Sequence, residues 1–189
     1  MPEKMTLEEV NRLERDEFVS RLGSVYESSP WVVERVWGSQ PFGSFAGLHG
    51  AMVGVVDGAS RERQMALIRV HPDLAGKAAV AGKLTPESKG EQTSAGLGRL
   101  TPEEYEAFSE MNYAYRERFG FPMIVCVREH TKESILQNAK SRLENSREEE
   151  VEIALGEIAK IARLRLQELV EADPEEASSE EGRDYDRDD

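Results

Sequence analysis

Helix start signals recur along this chain, whereas residues with strand character occur in one run only. Thr6 with Glu9, Ser60, Thr85-Pro86-Glu87, Thr101-Pro102-Glu103-Glu104, Thr131, and Ser146 with Glu149 each set a side-chain acceptor where the first turn of a helix leaves N–H groups unpaired. Apolar residues at spacings of three and four follow these signals, the pattern of a helix with one buried face. An all-α fold is the expectation. Leu7, Val10, Leu13, Phe18 and Leu22 supply a first stripe, broken between two short helices, and Trp31, Val32, Val33, Val36 and Trp37 form the next apolar cluster. Phe45 to Val56 reads as a buried helix of small residues that Asp57-Gly58 ends. The helix opened by Ser60 carries Met65, Ala66, Leu67 and Ile68 and stops at His71-Pro72, because proline holds the residue before it out of the helical region.

Asp73 to Leu84 reads as a loop. Beyond it, Ser88, Glu91, Gln92 and Ala95 share one side of the helix that Thr85 opens. Tyr105, Phe108, Met111, Tyr115 and Phe119 mark the buried face of a longer helix that Gly120 ends. Phe121-Pro122 then enforces extended backbone before Met123-Ile124-Val125-Cys126-Val127, the single run with strand character, and one short run makes no sheet. Two last helices carry Ile135, Leu136, Ala139 and Leu143, and Val151, Ala154, Leu155, Ile158, Ala162 and Leu169.

With 189 residues the expected organisation is a single compact multi-helix domain over residues 1–171, followed by a disordered acidic tail at 172–189. Residues 171–189 carry −8 of the net charge of −13, so the body is only mildly acidic. This balance disfavours nucleic acid, which is held mainly by Lys and Arg at phosphates. No apolar run approaches the roughly 20 residues needed to cross a bilayer. The opening MPEKMTLEEV has the profile of neither a secretory nor a transit leader, and a cytoplasmic location is expected. The lone Cys126 has no internal disulfide partner, and no Cys/His spacing would cage zinc.

Chemistry narrows to few residues. Of His49, His71 and His130, only His71 stands at the junction of a helix end, a proline and a loop that leads to the polar face of Ser88, Glu91 and Gln92. A carboxylate on one ring nitrogen would fix the tautomer and raise basicity, so His71 with Glu91 can form a proton-transfer unit. Equally, His71 can cap the preceding helix while Glu91 is solvated. His130 has no second histidine nearby, and Cys126 lies among apolar neighbours that keep a thiol protonated. The glycines at 76, 82, 96 and 98 follow no strand and make no nucleotide fingerprint.

His71-Pro72-Asp73-Leu74-Ala75-Gly76, then Leu84-Thr85-Pro86-Glu87-Ser88 with Glu91-Gln92 and Ala95-Gly96-Leu97, then Tyr115 with Arg118-Phe119-Gly120-Phe121-Pro122, resemble the 2-oxo-4-hydroxy-4-carboxy-5-ureidoimidazoline (OHCU) decarboxylases of urate degradation. Three separated motifs stand in the family's order, and the likeness runs from about Leu13 to about Leu166. The resemblance implies an all-helical, cofactor-free homodimer, without a metal, that acts after urate oxidase and hydroxyisourate hydrolase, releases CO2 from OHCU and yields (S)-allantoin. It makes His71 and Glu91 the catalytic residues, with Glu91 orienting His71. Pro72, Ser88 and Gln92 would contact substrate, and the backbone of Met123, Ile124, Val125, Cys126 and Val127 would close the pocket. Met123 stands where many relatives carry an aromatic residue; a contact made by backbone leaves the chemistry unchanged. The chain ends Arg187-Asp188-Asp189, not in a peroxisomal tripeptide. Two other readings are a non-catalytic helical interaction module that retains the family scaffold, and a metal-dependent hydrolase using His71, Glu91 and His130.

Overall fold

The computed structural model describes residues 4–172, so the acidic tail expected at 172–189 lies, apart from Ala172, outside the described residues. Leu7–Arg12 (α1), Arg15–Leu22 (α2), Trp31–Val36 (α3), Phe45–Asp57 (α4), Arg61–Val70 (α5), Lys77–Val80 (α6), Pro86–Ser94 (α7), Pro102–Phe119 (α8), Lys132–Arg142 (α9) and Arg147–Leu169 (α10) are joined by loops and two 3-10 turns, Trp37–Ser39 and Val127–Glu129. Among the described residues there is no strand, only an isolated parallel bridge between Met5 and Val170 that ties the start of the fold to the end of α10.

The start signals act as read. Thr6, Thr101, Thr131 and Ser146 form reciprocal capping boxes, and Ser60 and Thr85 accept the N–H three residues on. Gly120 closes α8 with φ +77, a left-handed turn that costs glycine nothing. The 23-residue α10 is the spine, packed against α2, α4, α5 and α8, and its Val151, Ala154, Ile158, Ala162 and Leu166 enter the core.

Two expectations need correction. The loop at 73–84 contains a one-turn helix, α6, whose start has no side-chain cap and so left no signal. Tyr105 is 41% exposed, because α8 turns its first turn outward and buries only from Phe108 onward. The irregular segment 121–126 then passes between α8 and the Val127–Glu129 turn, which rests on α7. That placement sets the segment opposite the end of α5.

Candidate active site

His71 is the C-cap of α5, held in extended backbone (φ −68, ψ 141) by Pro72. Its Nδ1 lies 2.8 Å from the Leu67 carbonyl oxygen. A carbonyl only accepts, so Nδ1 carries the hydrogen and Nε2 keeps a lone pair. The ring is buried, and burial, opposed by the Leu67 bond and by Glu27, pushes its pKa down to about 4; Arg165 adds to the lowering. At neutral pH it is an uncharged imidazole with a basic nitrogen.

The three- and four-residue spacing on α7 turns Ser88, Glu91 and Gln92 inward, and all three are buried. Glu91 does not meet His71 as expected. Both its oxygens accept from Arg165, at 2.7 Å from Nε and 2.9 Å from Nη2, and the ring is oriented by Leu67 instead. Arg165 also faces Glu27 at 3.0 Å, and Glu27 accepts from the hydroxyls of Thr85 (2.8 Å) and Ser88 (2.9 Å). Burial works against the Arg165 charge, but the bonds and fields of Glu91 and Glu27 prevail and raise its pKa. Two carboxylates and one guanidinium thus share a buried site in which each charge has a partner. Gln92 accepts the Ala75 N–H at 2.9 Å and donates to the Asp73 carbonyl at 3.3 Å, which holds the loop after Pro72 against α7.

Across from this wall, Met123, Ile124, Val125 and Val127 line the same cavity, of about 30 Å³, together with His71, Pro72, Ser88, Glu91, Gln92 and Arg165. Cys126 is not part of its lining. Its N–H is given to Glu157 at 2.7 Å, and burial, with Glu129 and Glu157 adding, pushes its thiol pKa up to about 11. The N–H groups of Met123, Ile124, Val125 and Val127 have no hydrogen-bond acceptor among the described residues. Buried peptide donors without partners are rare, and those of this cavity-lining segment can donate to ligand oxygens. His49 and His130 lie elsewhere, bonded to the Ala159 carbonyl and the Ser134 hydroxyl. Among the described residues no three His, Cys, Asp or Glu side chains are grouped to hold a metal ion, and no helix is long and apolar enough to cross a membrane.

Sequence reasoning missed Arg165 and Glu27. Arg165 had a signal: it follows Ile158 and Ala162 at spacings of seven and three, so a charge stands in the buried stripe of α10. Glu27 lies in a turn with no periodicity and had none.

Fold and site together define a small all-helical protein with a small pocket lined by buried polar side chains and irregular backbone. The chain belongs to the OHCU decarboxylase family, whose model matches residues 11–167. It is 44% identical over 166 residues to a 2-oxo-4-hydroxy-4-carboxy-5-ureidoimidazoline decarboxylase of Halalkalicoccus jeotgali, covering 88% of this chain and 92% of that one. It is 41% identical to the uric acid degradation bifunctional protein PucL of Bacillus subtilis, over 87% of this chain but 33% of that protein. Among solved structures, an (S)-allantoin synthase superposes with a TM-score of 0.70 at 29% identity; the match covers 88% of this chain and 54% of that one, so this chain spans about half of it. An OHCU decarboxylase crystallised in the presence of (S)-allantoin shares the fold, with a TM-score of 0.62 at 21% identity over 81% of this chain and 96% of that one. The resemblance and the all-α expectation are both borne out.

Proposed function

We infer that the chain is a carboxy-lyase that converts OHCU to (S)-allantoin in urate degradation, with His71 as its proton-transfer group and no cofactor. Family membership over residues 11–167 carries this reading. The chemistry suits the site. When the C–CO2 bond breaks, its electron pair flows into the adjoining ring C=N, so the substrate is its own electron sink. Protons must then reach both the ring nitrogen that took the pair and the carbon that bears the ureido group; the 4-hydroxyl gives up one as it becomes the ring carbonyl, and solvent supplies the other. The ring is neutral with a lone pair on Nε2, so it can accept the hydroxyl proton and return one afterwards to a single face. Arg165, held between Glu27 and Glu91, fixes the charged wall of the pocket, and the N–H groups of the 123–127 segment that lack an acceptor among the described residues offer donors for substrate oxygens. Ser88, Gln92 and Pro72 complete the contacts. Displacement of water from the pocket by substrate would favour conversion of the carboxylate to neutral CO2. At about 30 Å³ the cavity has room for a water and not for OHCU, so binding widens it.

A non-catalytic module fits less well, since mere scaffolding has no use for a buried charge triad facing unpaired peptide donors. The protein is further proposed to be cytoplasmic and homodimeric, with exposed Val80, Tyr105 and Tyr113 as apolar surface for a second copy. Coupling to urate oxidase and hydroxyisourate hydrolase is the last part of the proposal, supported by the Bacillus relative being a bifunctional protein of uric acid degradation.

The test makes OHCU in situ and follows the circular dichroism of the allantoin formed. Uncatalysed decay yields no handedness. Wild type should speed the reaction and give one enantiomer, and His71→Ala should lower the rate by about a hundredfold to ten-thousandfold. A racemic, unaccelerated product with wild type would remove the enzyme reading, and an unimpaired His71→Ala would remove the site. Sedimentation of the same preparation should give a dimer mass, and a monomer would remove that part.

A further inference from the structure

The segment that supplies the backbone wall has no secondary structure of its own to hold it. Residues 122–126 lie in neither helix nor strand, yet Met123, Ile124, Val125, Cys126 and Val127 are each at most 5% exposed. Buried peptide groups outside helix and sheet must find other partners. Two of them find side chains. Arg142, the last residue of α9, donates through Nη1 to the Ile124 carbonyl at 2.7 Å, and Glu157 of α10 accepts the Cys126 N–H at 2.7 Å.

Each holder is itself held. The remaining donors of Arg142 reach Glu150, at 3.0 Å from Nη2 and 3.2 Å from Nε, and the Tyr115 hydroxyl, at 3.2 Å. Glu150 is wholly buried and also accepts from Asn145 at 2.8 Å, while the second oxygen of Glu157 accepts from Lys160 at 2.8 Å. Ile124 is thus tied to α9 and Cys126 to α10. Met123, Ile124, Val125 and Val127 line the cavity, and their N–H groups have no acceptor among the described residues.

We propose that Arg142 and Glu157 are positioning residues of the active site: by gripping the Ile124 carbonyl and the Cys126 N–H they set the 123–127 backbone at the distance where its free N–H groups receive substrate oxygens. This rests on the decarboxylase reading and adds residues that touch no substrate. Donors that stabilise developing charge act only when preorganised, and a displacement of about 1 Å is worth about a hundredfold in rate.

Glu157→Ala and Glu157→Gln separate positioning from mere stability, because a glutamine carbonyl can still accept the Cys126 N–H. Glu157→Ala should lower kcat/KM by about a hundredfold, and Glu157→Gln should recover most of it. Arg142→Ala would strand the buried Glu150 carboxylate and could unfold the chain. The double variant Arg142→Met with Glu150→Leu removes the grip on Ile124 without leaving a lone charge, and should lose activity to a similar extent at a nearly unchanged melting midpoint. Cys126, the lone cysteine, reports the same event: its alkylation in native buffer should be faster in Glu157→Ala and in the double variant than in wild type or Glu157→Gln. Full activity in Glu157→Ala overturns the proposal. So does a loss that Glu157→Gln fails to rescue and that follows the melting midpoint. If wild type itself shows no turnover, the decarboxylase reading fails, whereas the alkylation series still shows whether the grip exists.

Discussion

On the α7 side of the pocket the buried groups are charged side chains paired through one arginine; on the 123–127 side they are peptide groups, and the charges that hold them stand one layer back. Glu27, Arg165 and Glu91 are all within a tenth of full burial and in direct contact. Arg142 and Glu157 reach the opposite wall by one hydrogen bond each, with their own counter-charges behind them. The arrangements fail differently. Loss of one member of the triad strands a charge in a buried site, which threatens the fold. Loss of one grip on the backbone frees a segment a few residues long, which threatens geometry first.

Arg165→Met is the hardest blow to the charged wall. It leaves Glu27 and Glu91 without their shared cation, and we expect a loss of about 3–5 kcal/mol in urea-melt stability. Glu157→Ala, which removes one hydrogen bond at a partly hydrated carboxylate, should cost about 1 kcal/mol. Equal losses in the two variants would erase the distinction between the walls.

Acid provides the next largest effect. The folded pKa of His71 is depressed from 6.5 to about 4, so the unfolded chain binds a proton in that interval and the native state does not. The contribution of a neutral His71 is therefore fully present above about pH 6.5 and is lost as pH falls to about 4, in total roughly 3 kcal/mol. Urea melts at pH 7 and pH 5 should show wild type losing more stability on acidification than His71→Asn. Turnover should likewise show no inflection from His71 near 6.5. An inflection there that disappears in the variant would mean that the ring is charged near neutrality and that its order of action is reversed.

An effect as small as that of Glu157→Ala belongs to the residue that joins the charged wall to its helix. Thr85 caps α7 and donates to Glu27 at 2.8 Å, and Thr85→Ala should cost about 1 kcal/mol by thermal or urea melt. A cost near zero would mean that Glu27 is held by Ser88 and Arg165 alone.

Much of the fold was legible because caps and stripes are local. Thr101 with Glu104 and Ser146 with Glu149 each lie within one turn, and the bonds they form are decided by neighbours in the chain. Tyr105 was misread for the same reason: spacing puts it in register with Phe108, but how far along its length a helix is covered depends on what packs there. In the site, His71, Ser88, Glu91 and Gln92 were each nameable, yet the bond proposed between His71 and Glu91 was not the one formed. Leu67, one helical turn before His71, supplies the nearer acceptor, and Arg165, 74 positions from Glu91, takes the carboxylate.

By itself the amino-acid order determined where helices begin and end, which faces they bury, and which side chains can do proton chemistry, since each of these depends on residues within a turn or two. The tertiary structure alone decided the tautomer and charge of His71, the pairing of Glu91 with Arg165 and Glu27, and the grip of Arg142 and Glu157 on the 123–127 backbone. Those outcomes rest on distance and on exclusion of water between segments far apart in the chain, and electrostatic strength follows both.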